Sequence, residues 1–156
     1  MIIRDSVKKD DIKNIKEIVE STGYFNKEEI DIAIELVEDK LNNSKSTYQF
    51  KFLEIENKVI AYSCFGLIPC SKISYDLYWI VVHNNFRGKG YGKYLIKETE
   101  NFIKNIGGYQ IIVETSSKEQ YKPTRDFYIK SGYKELVVYK DFYDYRDNKI
   151  VYYKIL

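Results

Sequence analysis

Residues 76–95 constrain the fold more than any other stretch: Asp-Leu-Tyr-Trp-Ile-Val-Val-His-Asn-Asn-Phe-Arg-Gly-Lys-Gly-Tyr-Gly-Lys-Tyr-Leu. Residues 77–82 are almost all apolar and β-prone, the pattern of a strand covered on both faces. Arg87, Gly88, Lys89, Gly90 and Gly92 then set two cations and three positions without side chains at a helix start. That combination suits an anion. Glycine lets the backbone come close, the first helical N–H groups point outward, and the helix dipole adds about half a positive charge.

A length of 156 residues fits one domain spanning 1–156 with one sizeable core. Net charge is +2, from 25 basic and 23 acidic residues, which argues against a nucleic-acid partner, since such proteins carry a basic excess. No apolar run reaches the roughly 20 residues that span a bilayer, so no membrane role is expected. The start, Met1-Ile2-Ile3-Arg4-Asp5, lacks a signal-like apolar core, and a cytoplasmic location is the default expectation. Cys64 and Cys70 match neither a redox nor a metal spacing, so buried free thiols and no metal are expected.

The remaining chain reads as α/β elements around that stretch. Residues 1–5 suggest an edge strand. Ile12, Ile15, Ile18 and Val19 recur at helical spacing up to Gly23. Asn26 and Glu29 have capping-box form, and Ile30, Ala33, Ile34, Val37 and Leu41 give an amphipathic stripe. Residues 48–55 and 59–65 read as a hairpin about Glu56-Asn57-Lys58. A strand at 73–82 and a helix at 90–105 follow. The next strand, 109–113, is expected to end in a polar loop, Glu114-Thr115-Ser116-Ser117. Pro123 opens a last helix that stops at Ser131-Gly132. Residues 134–142 and 149–155 are two more strands. The order β-α-α-β-β-β-α-β-α-β-β implies a mixed sheet of about seven strands with helices on both faces.

Two common glycine loops fail on spacing. A P-loop ends Gly-Lys-Ser/Thr, but Tyr94 stands where the hydroxyl residue belongs. A dinucleotide fingerprint would need a third glycine where Lys93 stands. Arg87-Gly88-Lys89-Gly90-Tyr91-Gly92 instead fits the pattern Gln/Arg-x-x-Gly-x-Gly/Ala. With the strand before it, the helix after it, and Phe127-Tyr128-x-x-x-Gly132-Tyr133 downstream, the chain resembles the GNAT superfamily of N-acetyltransferases over its whole element order.

The resemblance implies a GNAT fold, mostly antiparallel, that binds acetyl-CoA as co-substrate and transfers its acetyl group to a primary amine. It implies that the backbone of Ile80, Val81 and Val82 meets the pantetheine arm. The pyrophosphate would lie on the amides from Arg87 through Gly88, Lys89, Gly90, Tyr91 and Gly92, with Lys93 nearby. Thr115, Tyr121 and Phe127 complete the implied cofactor contacts. Tyr128 stands where the family places its general acid; a neutral tyrosine can donate to a thiolate. Asp76 has the offset of a family general base, and Glu114 is its rival; water alone is the third reading. For Asp76 the bland alternative is a solvated strand-edge residue, and for Glu114 the alternative is an anchor for the acceptor amine.

Arg125 is read as a phosphate contact or a surface cation, and His83 as a solvated residue outside catalysis. The acceptor is expected near Gly23-Tyr24-Phe25 and Tyr139–Tyr145, where aromatics flanked by acids suit a cationic small-molecule amine. The same aromatics could be packing or a homodimer seam. Two rival functions stay open: an acyl-CoA-binding regulatory module without turnover, and a protein Nα or Lys acetyltransferase.

Overall fold

The computed structural model describes residues 1–156. In chain order the elements are β1 (Ile2–Arg4), α1 (Asp11–Ser21), α2 (Lys27–Asn42), β2 (Gln49–Ile55), β3 (Lys58–Leu67) and β4 (Ser74–Val82). Then come α3 (Tyr91–Asn105), β5 (Gln110–Ser116), α4 (Lys122–Lys130), β6 (Lys134–Asp144) and β7 (Asp147–Ile155). Short 3-10 segments occupy Asn84–Phe86 and Glu119–Tyr121. The strands form a seven-stranded sheet in the order β1-β2-β3-β4-β5-β7-β6. The β4–β5 pair is parallel, and β1–β2, β2–β3, β5–β7 and β6–β7 are antiparallel. Element order and sheet type are those expected from the sequence. No helix is long and apolar enough to cross a membrane.

Contacts divide the chain into two compact units: Met1–Leu67 with Leu77–Thr99, and Ile68–Asp76 with Glu100–Leu156. In the first unit, α2 begins at the expected capping box. Asn26 Oδ1 accepts the Glu29 N–H at 2.9 Å, and Glu29 Oε2 accepts the Asn26 N–H at 2.8 Å. Ile15, Ile18 and Val19 of α1 and Ala33 and Val37 of α2 pack on Phe50, Phe52, Tyr62, Cys64 and Val81. Leu53, Ile60 and Ala61 point the other way, onto Leu95 of α3. Helices therefore cover both faces of β2 and β3, which are buried with little alternation. Each large side chain fully buried here contributes roughly 1.5–3 kcal/mol.

β4 departs from the expected double cover. Tyr75, Leu77 and Val81 are buried, but Tyr78 is 39% exposed and Trp79 and Ile80 are only half-buried. An apolar run cannot by itself separate a strand buried on both faces from one that borders an open surface, because aromatic side chains tolerate partial exposure.

In the second unit, β5 lies between β4 and β7. Register sets Asp76 opposite Ile112, Ile112 opposite Tyr153, Glu114 opposite Val151, and Ser116 opposite Lys149. Opposed residues share a face, and the face alternates every residue. Ile111, Val113 and Thr115 are thus on one face, with Tyr152 and Lys154 of β7, and there α4 packs. Asp76, Glu114 and Lys149 are on the other. Lys154 Nζ reaches Glu100 at 2.8 and 2.9 Å and the Ser131 carbonyl at 2.8 Å, which fixes the end of α4. β5 runs to Ser116 instead of ending at Val113. Its polar end stays in the ladder because β7 supplies backbone partners and every second side chain faces outward.

Candidate active site

In the first unit the glycine loop leads from the 3-10 turn into α3. Gly88 and Gly90 have φ of 75° and 85°, a region costly for side-chain-bearing residues, and no atom lies within 4 Å of where a Cβ would stand at either. The loop therefore presents bare backbone ahead of α3. The leading amides of α3, from Tyr91, Gly92 and Lys93, have no carbonyl one turn behind them inside the helix. Free amides at a helix start suit an anion. The Arg87 N–H is an exception among the expected donors, because it already donates to the Asn84 carbonyl at 3.3 Å. The Arg87 guanidinium lies 4.9 Å from the Tyr24 ring centroid and donates to its hydroxyl at 3.2 Å. Lys89 Nζ donates to the Asn85 carbonyl at 3.2 Å, and Lys93 is exposed.

In the second unit α4 delivers Tyr128. Pro123 fills its first turn as expected, and Phe127 is half-buried one residue before Tyr128. Tyr128 is buried among Phe127, Tyr133 and Tyr152, with ring centroids 5.5, 5.6 and 6.3 Å away. Burial disfavours the phenolate and pushes the Tyr128 hydroxyl above its ordinary range. The group holds its proton at neutral pH, as an acid must before it acts.

The two carboxylates share the opposite face of the same unit. Asp76 is half-buried, and burial, then the nearby Glu114 charge, raise its carboxyl above the usual range, with Lys149 opposing. Glu114 is exposed and pairs with Lys149, Oε2 to Nζ, at 2.8 Å. Lys149 was not singled out by the sequence; only the cross-strand register brings it to Glu114. Tyr128 and the carboxylates are separated by the sheet of this unit, so they do not touch.

Other expectations are altered. Thr115 is buried in β5 opposite Ile150, and Ser116 donates to Asp147, so these are ladder residues, not loop residues. Tyr121 is half-buried at the end of the 3-10 segment before α4. Arg125 is neither a free surface cation nor aimed outward: its Nη1 clips the Ser116 and Lys118 carbonyls, each at 2.8 Å. His83 is buried, not solvated. Its Nδ1 accepts the Asn85 N–H at 3.2 Å and caps the 3-10 turn. Phe25 packs on the core with its ring 5.0 Å from Trp79. Tyr139, Phe142 and Tyr143 are 51, 52 and 48% exposed on β6.

Residues 46–135 match the family model described as the acetyltransferase (GNAT) domain. A structure from Desulfovibrio desulfuricans, described as a GNAT-family acetyltransferase, is 36% identical, with TM-score 0.95 over 99% of this chain and 98% of that one. An aminoglycoside 6'-N-acetyltransferase complexed with coenzyme A is 18% identical, with TM-score 0.77 over 99% and 97%. The ribosomal-protein-S18-alanine N-acetyltransferase of Escherichia coli is 15% identical, with TM-score 0.75 over 99% and 94%. The last two are likenesses of fold. No curated protein sequence matches the chain. A matched family model over more than half the chain, and a structure 36% identical along nearly all of it, lead to one conclusion: the chain belongs to the GNAT family of acetyltransferases and is an acyltransferase.

Proposed function

We propose that residues 1–156 act as one N-acetyltransferase domain that moves an acetyl group from acetyl-CoA to the primary amine of a small molecule. The observation that carries the co-substrate is the bare backbone at Gly88 and Gly90 ahead of α3. Bound acetyl-CoA supplies a thioester whose carbonyl carbon forms a C–N bond to the amine as its C–S bond breaks.

The chain's own groups manage position and protons. The loop from Gly88 to Lys93 takes the diphosphate on main-chain donors, and Lys89 and Lys93 add charge. The β4 backbone at Ile80, Val81 and Val82 aligns the extended arm. Asp76 takes the proton that leaves the amine; its raised carboxyl makes it a better base than an ordinary aspartate. Tyr128 donates to the departing sulfur. No covalent enzyme intermediate is required.

A free-thiol release assay tests the whole reading, with acetyl-CoA offered to polyamines, amino acids, aminoglycosides and a peptide with an N-terminal alanine. Turnover with a small amine is expected, and Tyr128→Phe should lower it about 100-fold while coenzyme A affinity stays near parental. Turnover confined to the peptide would favour a protein acceptor. Coenzyme A binding without turnover on any amine would make the chain a binding module.

A further inference from the structure

We propose that Lys149 is a positioning residue for the carboxylate pair: its ammonium holds Glu114 as a fixed anion and leaves Asp76 as the carboxyl that exchanges a proton. This rests on the reading of Asp76 as the proton acceptor.

The geometry is a diagonal across three strands on one face. Asp76 of β4 stands opposite Ile112; Glu114 is two residues further along β5; Lys149 of β7 stands opposite Ser116, two residues further again. The Lys149 Nζ is held twice, by Glu114 Oε2 at 2.8 Å and by the Phe142 ring, 4.0 Å from its centroid. The Lys149 side chain is only 15% exposed, against 46% for Glu114. The cation is thus fixed between a β5 carboxylate and a β6 aromatic face, where water screens it weakly. No hydrogen bond or ion pair of this kind reaches Asp76.

The arrangement separates the roles of two acids that would otherwise compete. Two carboxylates on one face raise each other's proton affinity, and a cation bonded to one of them breaks the tie. Other groups around the pair do not reverse this. Tyr143 of β6 stays neutral, because burial, then the charges of Glu114 and Asp147 and the nearby Tyr121, keep its phenol protonated. Asp147 of β7 is engaged by Ser116 and lies 3.5 Å from Lys118 Nζ. Glu114 is thus held by Lys149, while Asp76 lacks such a partner and keeps its raised proton affinity.

The test reads Asp76 directly, by carbon-13 NMR titration of the aspartate carboxyls, with the Asp76 signal assigned by its loss in Asp76→Asn. Lys149→Met removes the cation and keeps the stem; the Asp76 midpoint should move to higher pH. Glu114→Gln removes the neighbouring anion; the midpoint should move to lower pH. Lys149→Arg should restore a near-parental midpoint. The acidic limb of kcat/KM should follow in each variant.

A purely structural role for Lys149 gives no such opposite signs. An Asp76 midpoint that stays put in Lys149→Met, or moves the same way in both variants, overturns the proposal. So do midpoints that move as expected while the kcat/KM limb remains fixed. A parent protein inactive on every amine would instead remove the acetyl-transfer reading, and the midpoints would still decide whether Lys149 sets the order of titration.

Discussion

Asp11 shows how much one side chain can hold. It is fully buried at the start of α1, and Arg4 of β1 grips it with two bonds of 2.8 Å while also donating to Glu54 of β2 at 2.6 Å. Burial pushes the Asp11 carboxyl up, but the bonds from Arg4, the Lys8 amide and Asn14 outweigh it, and its pKa is held below the ordinary value. A carboxyl depressed on folding contributes stability above its unfolded pKa, near 3.9, and that contribution is lost as pH falls through the lower folded value. Asp11→Asn leaves the half-buried Arg4 with Glu54 as its one carboxylate and should cost about 2–3 kcal/mol at pH 7 in denaturant unfolding. Its loss of stability on acidification should also be shallower than the parent's. An unchanged pH slope would mean that Asp11 does not titrate between the folded and unfolded states. At the same scale, Arg87 illustrates what a sequence hides. Its cation was legible, but its stacking on Tyr24, 63 residues away, was not.

Elements were read best where local chemistry alone sets them. The capping box at Asn26 and Glu29 needs only four consecutive residues, and it formed as read. Asn26→Ala removes the acceptor for the Glu29 amide and should destabilise the protein by about 1 kcal/mol, measured as a lower denaturant midpoint with unchanged slope. A change below a few tenths would show that the tertiary contacts of α2 fix its start without the cap. The end of β5 was misread for the opposite reason. Glu114-Thr115-Ser116 is polar, and polarity reads as a loop. The strand continues because β7 pairs with it through Ser116 opposite Lys149, and such pairing is not written in the local sequence. β4 erred the other way, its apolar run concealing the exposed Tyr78.

For the whole molecule, the glycine loop makes a thermodynamic prediction. A ligand that binds only the folded chain stabilises it by mass action, about 2.7 kcal/mol at a hundredfold excess over Kd. For a chain of this size, coenzyme A at that excess should raise the melting midpoint by about 5–10 °C. Gly88→Val, strained at φ of 75° and covering the loop's bare backbone, should lose most of that rise. A full rise in Gly88→Val would place the ligand elsewhere.

The sequence by itself determined the element order and the mixed sheet, which rest on periodicity and capping carried by neighbours along the chain, and its resemblance to a known family identified that family. Only the tertiary structure decided which residues face one another. It set Asp76, Glu114 and Lys149 on one side of the second unit's strands and Tyr128 on the other, because side-chain direction in a sheet depends on register between strands distant in sequence. The two carboxylates and Tyr128 were visible from the start. The pairing of one carboxylate with a lysine became visible only when β7 brought Lys149 to Glu114.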